Sequence, residues 1–436
     1  MSNSAPATTS KLTTWSWALW DWAEQPYPTI IQTFIFATYI TSSYFGNPDA
    51  NTQALALAGS IAGILVALIS PVFGRRSDDS GHRKRWLLIN SAALIAIMAL
   101  SYFVMPDPAF LIFGLVLYCL GSVVQESAFI NYYAMLKQVT TAKNMGRVSG
   151  FAWGLGYVGG IALLLFSLVG FVLPAHPLFG VSSNGAENIR VLFLFSAIWM
   201  LVFTIPLALF VPEIPAKSNM FKESIAQSYR SLFKQLGSLR RNSPDALRFL
   251  IASAVYRDGL AGVFNFGAIL GAVAFGFSKS EIIFYGIGAN IVAGIGAAVG
   301  GWLDDKIGTK RTIMASLIGL VVFGSAIFAF ASWGPITYWV FGLALTLFVG
   351  PAQASSRTFV ARFAPEGREG EIFGLYQTTG RAASFLSPTF WFLATTAAGA
   401  FGVVHTAIYG IIGIVIVLAA GIWLLAKVHP APVVAE

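Results

Sequence analysis

Six ionisable side chains lie inside long apolar runs of this 436-residue sequence. An ionisable group in apolar surroundings needs a partner, a water-filled cavity or a function, so each is a candidate for binding or proton transfer. Two of them, Asp21 and Glu24, are three residues apart and share one helical face. Acids outnumber bases, so at least one carboxylate could bind a proton or a cationic group. The six are Asp21, Glu24, Glu126, Arg257, Asp258 and Arg381.

The surroundings of Arg381 suggest an anion-binding role. Gln377 precedes it by one turn and Ser384 follows at the third position. A planar guanidinium with amide and hydroxyl neighbours suits a carboxylate or a phosphate. The alternative is a salt bridge between Arg381 and Glu126 that stabilises one conformation.

Further polar and aromatic residues lie inside the same apolar runs and are candidates for lining a cavity. An amine above such rings gains about 0.5–2 kcal/mol of cation–π energy, although for any single residue helix packing is the alternative. The set is Tyr27, Gln125, Tyr133, Trp153, Tyr157, Tyr256, Asn265, Asn290, Gln353, Tyr376 and Gln377.

The composition places these residues in a membrane protein. The chain is 56% hydrophobic and 11% charged, whereas soluble domains carry about 25% charged residues. An ordinary soluble enzyme is therefore excluded, and a polytopic, all-α membrane protein is predicted. The single cysteine, Cys119, excludes an intrachain disulfide, and the four histidines have no ligand spacing, so we expect no metal and no cofactor.

Twelve apolar runs are long enough to span a bilayer, and spans 1, 7 and 11 are predicted at 15–42, 247–276 and 370–398. Most Lys and Arg residues fall on the side of the N-terminus, which predicts that both termini are cytoplasmic and accounts for the basic charge without nucleic acid. The predicted organisation is a tail at 1–14, six-helix bundles at 15–211 and 247–426, a linker with an amphipathic surface helix at 212–246, and a tail at 427–436.

Two loops repeat one pattern at an offset of 227 residues. Gln125 and Gln353 form a second, weaker echo, so the halves are predicted to be parallel repeats. We expect the two loops to act as a cytoplasmic latch. The first loop motif comprises Gly74, Asp78, Gly81 and Arg83, and the second comprises Gly301, Asp305, Gly308 and Lys310.

Twelve spans in two halves with this loop after spans 2 and 8 resemble the major facilitator superfamily. The resemblance departs at one point, since Asp79 stands where many members carry a base, whereas the second loop has Lys306. Segments 17–23, 146–150, 154–160, 350–357 and 380–385 together resemble the branch of the fungal vacuolar amino-acid effluxer and its bacterial relatives. This resemblance implies movement of small solutes driven by an ion gradient.

The resemblance also suggests how some of the charges are arranged. In this fold the first helices of the two halves face one another, so Asp21 and Asp258 are expected to be pseudo-symmetry mates. Glu24 and Arg257 replace residues that are uncharged in relatives, and their charges have opposite signs. We predict that they pair or jointly hold a zwitterion, with its amine on Glu24 and its carboxylate on Arg257. Bonds to a carbonyl, a water or an adjacent helix are the alternative.

The leading hypothesis is a proton-coupled secondary transporter that exports an amino acid or similar zwitterion by alternating access. It would bind a small-molecule substrate, protons and membrane lipids, act as a monomer, and reside in a bacterial inner membrane. An amphiphilic, peptide, lipid-like or anionic substrate is the alternative within transport, and a membrane sensor or scaffold is the alternative outside it. No Ser/His/Asp set or nucleotide-binding loop supports an enzyme or direct ATP coupling.

Overall fold

The computed structural model describes residues 10–174, 176–213, 244–403 and 405–429, and these residues form helices joined by short connections. Most of the predicted surface helix at 212–246, and most of both predicted tails, lie outside the described residues. The principal helices are α1 Lys11–Glu24, α2 Phe36–Ile40, α3 Pro48–Ser80, α4 Arg83–Ser101, α5 Leu111–Ala134, α6 Leu136–Val139, α7 Met145–Ser167, α8 Glu187–Phe210, α9 Pro244–Ile269, α10 Lys279–Ile307, α11 Thr309–Ala329, α12 Val349–Phe363, α13 Glu369–Ala383, α14 Leu386–Ala400 and α15 Gly410–Ala426.

Nine helical segments of the described chain are long and apolar enough to cross a membrane. Predicted spans 1, 7 and 11 are not among them. Span 1 is divided between α1, a π-helical segment Tyr27–Phe34 and α2, and span 11 is divided between α13 and α14. Span 7 contains an uninterrupted helix, α9, but its ionisable residues lower its mean hydropathy. Five of the six candidate ionisable residues therefore lie in helices that are broken or unusually polar.

Two prolines account for the break in span 1. Pro26 and Pro28 have no N–H, so the carbonyls of Trp22 and Glu24 cannot receive the usual bond from four residues ahead. The Trp22 carbonyl instead accepts the indole N–H of Trp199 at 3.1 Å, and the two rings stack with centroids 5.2 Å apart. This bond joins the end of α1 to α8.

Local signals set the ends of the helices that carry the loop motifs. The Asn47 side chain caps α3 by accepting the amides of Asp49 and Ala50, and Gly81 ends α3 with a left-handed φ of 66°. Ser278 and Glu281 form a capping box at the start of α10, which Gly308 ends at φ 92°. Both motifs therefore place their second glycine where a side chain would strain the backbone.

The chain divides into two compact units. Each unit contains a short segment that comes from the other half of the sequence. The first unit comprises Met1–Thr141, Leu155–Phe221 and Gly367–Glu371, and the second comprises Ala142–Gly154, Lys222–Glu366 and Ile372–Glu436.

Close packing in the second unit depends on Gly296 of α10. Pro351 leaves the Leu347 carbonyl without its helical donor, and this oxygen lies against the Gly296 backbone where a Cβ atom would collide with it. Because the obstacle is backbone, it cannot rotate away. Gly286 of the same helix has open space at the Cβ position.

Replacing Gly296 by alanine is therefore expected to force α10 away from Leu347 and to cost about 1–3 kcal/mol. The measurement is the apparent melting temperature of the detergent-purified protein, which should fall by several degrees. Gly286→Ala is the matched control and should leave it unchanged or raise it slightly, since alanine favours the helix. Equal behaviour of the two variants would contradict this account of the contact.

Candidate functional site

Glu24 lies at the last turn of α1 and is 3% exposed. Its Oε1 accepts a hydrogen bond from Gln25 Nε2 at 2.8 Å, and its Oε2 accepts one from Gln125 Nε2 at 2.9 Å. Within the described part of the first unit, both donors are neutral amides. No basic side chain among the described residues of this unit neutralises the carboxylate, and a proton or an ammonium group could supply the missing positive charge.

Two further acids surround Glu24 within electrostatic range, Asp21 and Glu126. Asp21 is buried and lies one turn earlier on α1, whereas Glu126 of α5 is half-buried. The structure thus brings together the three acids predicted in the first half. The negative charges of Asp21 and Glu126 make a negative charge on Glu24 less favourable.

Arg257 of α9 is held in the second unit by α13. It donates from Nη1 to the Tyr376 carbonyl at 2.9 Å and from Nη2 to Gln377 Oε1 at 2.8 Å. Its Cζ lies 3.8 Å from the centroid of the Tyr376 ring. A Cβ at Gly380 would approach Nη1 to 3.0 Å, so this glycine leaves room for the guanidinium. Among the described residues, the guanidinium is therefore oriented by neutral acceptors and a ring.

The neighbouring Asp258 has a different environment. Its Oδ2 accepts the Ser387 amide at 2.5 Å, and the Ser387 hydroxyl donates to the Asp258 carbonyl at 2.9 Å. The carboxylate therefore caps the first turn of α14, where the helix dipole stabilises it. This bond joins α9 to α14 just after the break in span 11.

The two residues predicted around Arg381 have hydrogen bonds of their own. Gln377 Oε1 accepts from Arg257, and the Ser384 hydroxyl donates back to the Arg381 carbonyl at 2.9 Å. The predicted ion pair of Glu24 with Arg257, and that of Arg381 with Glu126, join residues of different units and stay predictions.

The candidates for lining a cavity fall into three groups. Tyr27 and Tyr256 are fully buried and bond to the Tyr118 carbonyl at 2.9 Å and the Ser356 hydroxyl at 2.7 Å, as packing residues do. Gln125 donates to the Glu24 carboxylate, Gln377 accepts from the Arg257 guanidinium, and the Tyr376 ring lies beside Arg257. Tyr133 stacks on Phe129, Trp153 donates to Gln353 at 3.1 Å, Asn290 bonds back to its own helix at Gly286, Asn265 is exposed, and Tyr157 is half-buried.

In the first loop motif, Asp78 accepts backbone amides at the start of α13. Its Oδ1 accepts from Gly370 N at 3.0 Å and its Oδ2 from Glu371 N at 2.7 Å. Arg83 joins the carboxylates of Asp78, at 2.5 Å, and Glu369, at 2.6 Å. Gly74 lies against the Gly370 carbonyl, where a Cβ atom would collide.

The second loop motif repeats this arrangement at the start of α7. Asp305 Oδ1 accepts from Gly146 N at 2.8 Å and Oδ2 from Arg147 N at 2.9 Å. A Cβ at Gly146 would lie 2.6 Å from the Gly301 carbonyl oxygen. In both motifs an aspartate therefore occupies a helix N-terminus, a favourable place for a negative charge.

The base in the second motif differs from the predicted one. Lys310 donates to the Ala426 carbonyl at 3.0 Å, whereas Arg362 reaches Asp304 at 2.8 Å and Asp305 at 3.2 Å. Lys310 therefore ties α11 to the end of α15. Nothing in the repeat points to Arg362, because its counterpart at the 227-residue offset is Met135.

Two other residues at these sites were not predicted. Gln25 directly follows Glu24, so adjacency was an available signal. Ser149 of α7 accepts from Arg357 Nε through its hydroxyl at 2.9 Å and from Nη2 through its carbonyl at 2.6 Å. Arg357 is 1% exposed and lies over the Trp153 ring at 5.0 Å. Ser149 and Arg357 both fall within the family-like segments, but their spacing in the sequence does not reveal that they meet.

Asp305→Ala should remove the acceptors of two helix N-terminal amides and lower stability by about 1–3 kcal/mol. The expected result is a lower apparent melting temperature in detergent. Asp107→Ala is the control, because Asp107 also accepts a backbone amide, from Ala109 at 2.8 Å, but is exposed. If Asp305→Ala lowers the apparent melting temperature no more than Asp107→Ala does, a structural role for the second motif is contradicted.

Comparison with known proteins shows that this chain is similar to transporters. A family model described as "Vacuole effluxer Atg22 like" matches residues 42–429. The uncharacterized MFS-type transporter YxiO of Bacillus subtilis is 26% identical over 379 residues, which cover 86% of each chain. Autophagy-related protein 22-1 of Aspergillus fumigatus is 23% identical over 266 residues, and the match spans 56% of this chain but only 42% of the fungal protein.

A solved structure shows the same fold. The major facilitator superfamily proton:xylose symporter XylE superposes with a TM-score of 0.73 at 13% identity, covering 98% of this chain and 97% of that one. The predicted major facilitator fold and the predicted relationship to the effluxer branch are therefore confirmed, as is the assignment to multi-pass membrane proteins. The family and the structural neighbours are transporters and not enzymes.

Proposed function

The chain belongs to the Atg22-like vacuole effluxer family of the major facilitator superfamily, and we propose that it is a proton-coupled secondary transporter that exports an amino acid or a similar zwitterion. Glu24 takes the amine of the substrate or the coupling proton. Arg257 takes the substrate carboxylate. The two six-helix halves predicted from the sequence alternate between states that open the binding residues to opposite sides of the membrane.

The observation that carries this proposal is the environment of Glu24. A buried carboxylate held by Gln25 and Gln125 alone keeps acceptor capacity and has no cation beside it in the described part of its unit. Burying such a charge is unfavourable until a proton or an ammonium group neutralises it. Binding of either species is therefore favoured, and the release of one can accompany the binding of the other.

Arg257 supplies the complementary charge. Its guanidinium is positioned by Tyr376 and Gln377, both neutral, and forms no ion pair with a carboxylate among the described residues. A zwitterion presents one charge of each sign, which matches one buried acid and one oriented base. Asp258 is not proposed as the acid that binds the amine, because the Ser387 amide already binds its carboxylate.

We also propose the topology expected from the sequence. Twelve spans place both termini in the cytoplasm, with spans 1, 7 and 11 containing the breaks and charges described above. A bacterial cell membrane is the proposed location. The Bacillus relative, whose match covers 86% of both chains, supports it.

The test is transport by the full chain in proteoliposomes, measured as tracer flux and current for amino acids, organic anions and amphiphilic cations with and without a pH gradient. Glu24→Gln should abolish accumulation driven by the pH gradient, because the side chain can no longer exchange a proton. Arg257→Ala should reduce flux of carboxylate-bearing substrates at least about ten-fold, since a charge-assisted bond is lost. Arg257→Lys should show a similarly reduced flux of these substrates, because lysine lacks the planar guanidinium that binds a carboxylate with two parallel bonds.

Arg248→Ala is the matched control for Arg257. It lies in the same helix with its side chain 51% exposed and paired to Asp245, so it should leave flux unchanged. Flux of anions that depends on Arg257 but not on Glu24 would favour an anionic substrate over a zwitterion. Flux unaffected by either substitution would contradict the proposed site, and a lack of flux for every solute would favour the sensor or scaffold.

A further inference from the structure

A groove on the first unit lies apart from all the residues discussed above. It has a volume of about 410 Å³ and is lined by Lys84, Arg85, Leu88, Ile89, Ala92 and Glu213. All but Glu213 belong to α4, which is long and apolar enough to span the membrane. The groove therefore runs from the charged end of this helix onto its apolar surface.

The spacing of the lining residues produces this shape. Arg85, Leu88, Ile89 and Ala92 stand at i, i+3, i+4 and i+7, so one face of α4 carries a base and then about two turns of apolar side chains. Seven residues of helix measure about 10 Å. Ile89 is 46% exposed, and an exposed apolar side chain on a spanning helix faces lipid.

The charges at the end of the groove leave its bases available. Glu213 accepts the backbone amides of Lys84 at 2.9 Å and Arg85 at 3.0 Å, so its carboxylate caps the N-terminus of α4. Among the described residues, neither the Lys84 ammonium nor the Arg85 guanidinium forms an ion pair. Trp86 follows them, and tryptophan is typical of the depth at which lipid headgroups lie.

We propose that this groove binds an anionic phospholipid, with its phosphate on Lys84 and Arg85 and one acyl chain along Leu88, Ile89 and Ala92. Two bases next to an apolar wall match a phosphate joined to a hydrocarbon chain. A soluble anion would use the bases but not the wall. A zwitterionic lipid would use the wall but would bring a cationic headgroup towards the bases.

The experiment is native mass spectrometry of the full chain in detergent, titrated with phosphatidylglycerol or with phosphatidylcholine. Phosphatidylglycerol should bind about 30-fold more tightly, since each of the two bases near an anionic headgroup contributes about 1 kcal/mol. Lys84→Gln/Arg85→Gln should abolish this preference. Lys306→Gln/Arg311→Gln should keep the preference, because that control also removes two bases beside a loop motif, but in the second unit.

Two further arms separate the lipid from other occupants. Ile89→Asn should weaken binding of both lipids by removing the apolar wall, and glycerol phosphate should not compete with phosphatidylglycerol. Equal binding of the two lipids, an unchanged preference in Lys84→Gln/Arg85→Gln, or competition by glycerol phosphate would overturn the proposal.

The third possible occupant is the chain itself. A cysteine introduced as Ile89→Cys in a Cys119→Ser background should react readily with a thiol reagent after delipidation and be protected by added phosphatidylglycerol. Protection that persists without lipid would mean that a segment of this chain fills the groove, and would overturn the proposal.

Discussion

In a bilayer no water is available to bond a buried polar group, so the protein must provide every partner itself. The main irregularities of this fold follow from that constraint. Pro26 removes a helical bond from the Trp22 carbonyl, and the indole of Trp199 replaces it. Span 11 breaks before α14, and the exposed first turn of that helix is capped by Asp258 from α9. In both places a local break produces a specific bond between two helices.

The same constraint explains the two loop motifs. Asp78 and Asp305 each accept two amides at a helix N-terminus that lies far away in the sequence. Because the partners are backbone amides, the contact does not require a particular side chain on the receiving helix. It does require close approach, which glycine permits at positions 74 and 146. The bases can then differ, with Arg83 pairing with Asp78, and Arg147 and Arg362 pairing with Asp305.

The charged side chains of Glu24 and Arg257 have a different kind of partner. Asp258, Asp78 and Asp305 are bound by backbone amides that stabilise their negative charge. Glu24 is bound by two glutamine side chains, and Arg257 by a carbonyl, an amide oxygen and a ring. Neutral partners orient a charge without cancelling it. This difference separates the residues proposed to bind substrate from those that hold the helices together.

The sequence by itself determined the class of the protein, its all-helical character and its repeated loop motif, because hydropathy, charge bias and motif spacing are properties of neighbouring residues. It also identified the ionisable residues, since each stands out in an apolar run. Only the tertiary structure decided which partners these residues have. Gln377 bonds to Arg257, Arg362 pairs with Asp305 where Lys310 was expected, and Ser387 bonds to the Asp258 carboxylate. These partners lie from 57 to 129 residues apart, and whether a charge is used or available depends on distances of a few ångströms that no local pattern records.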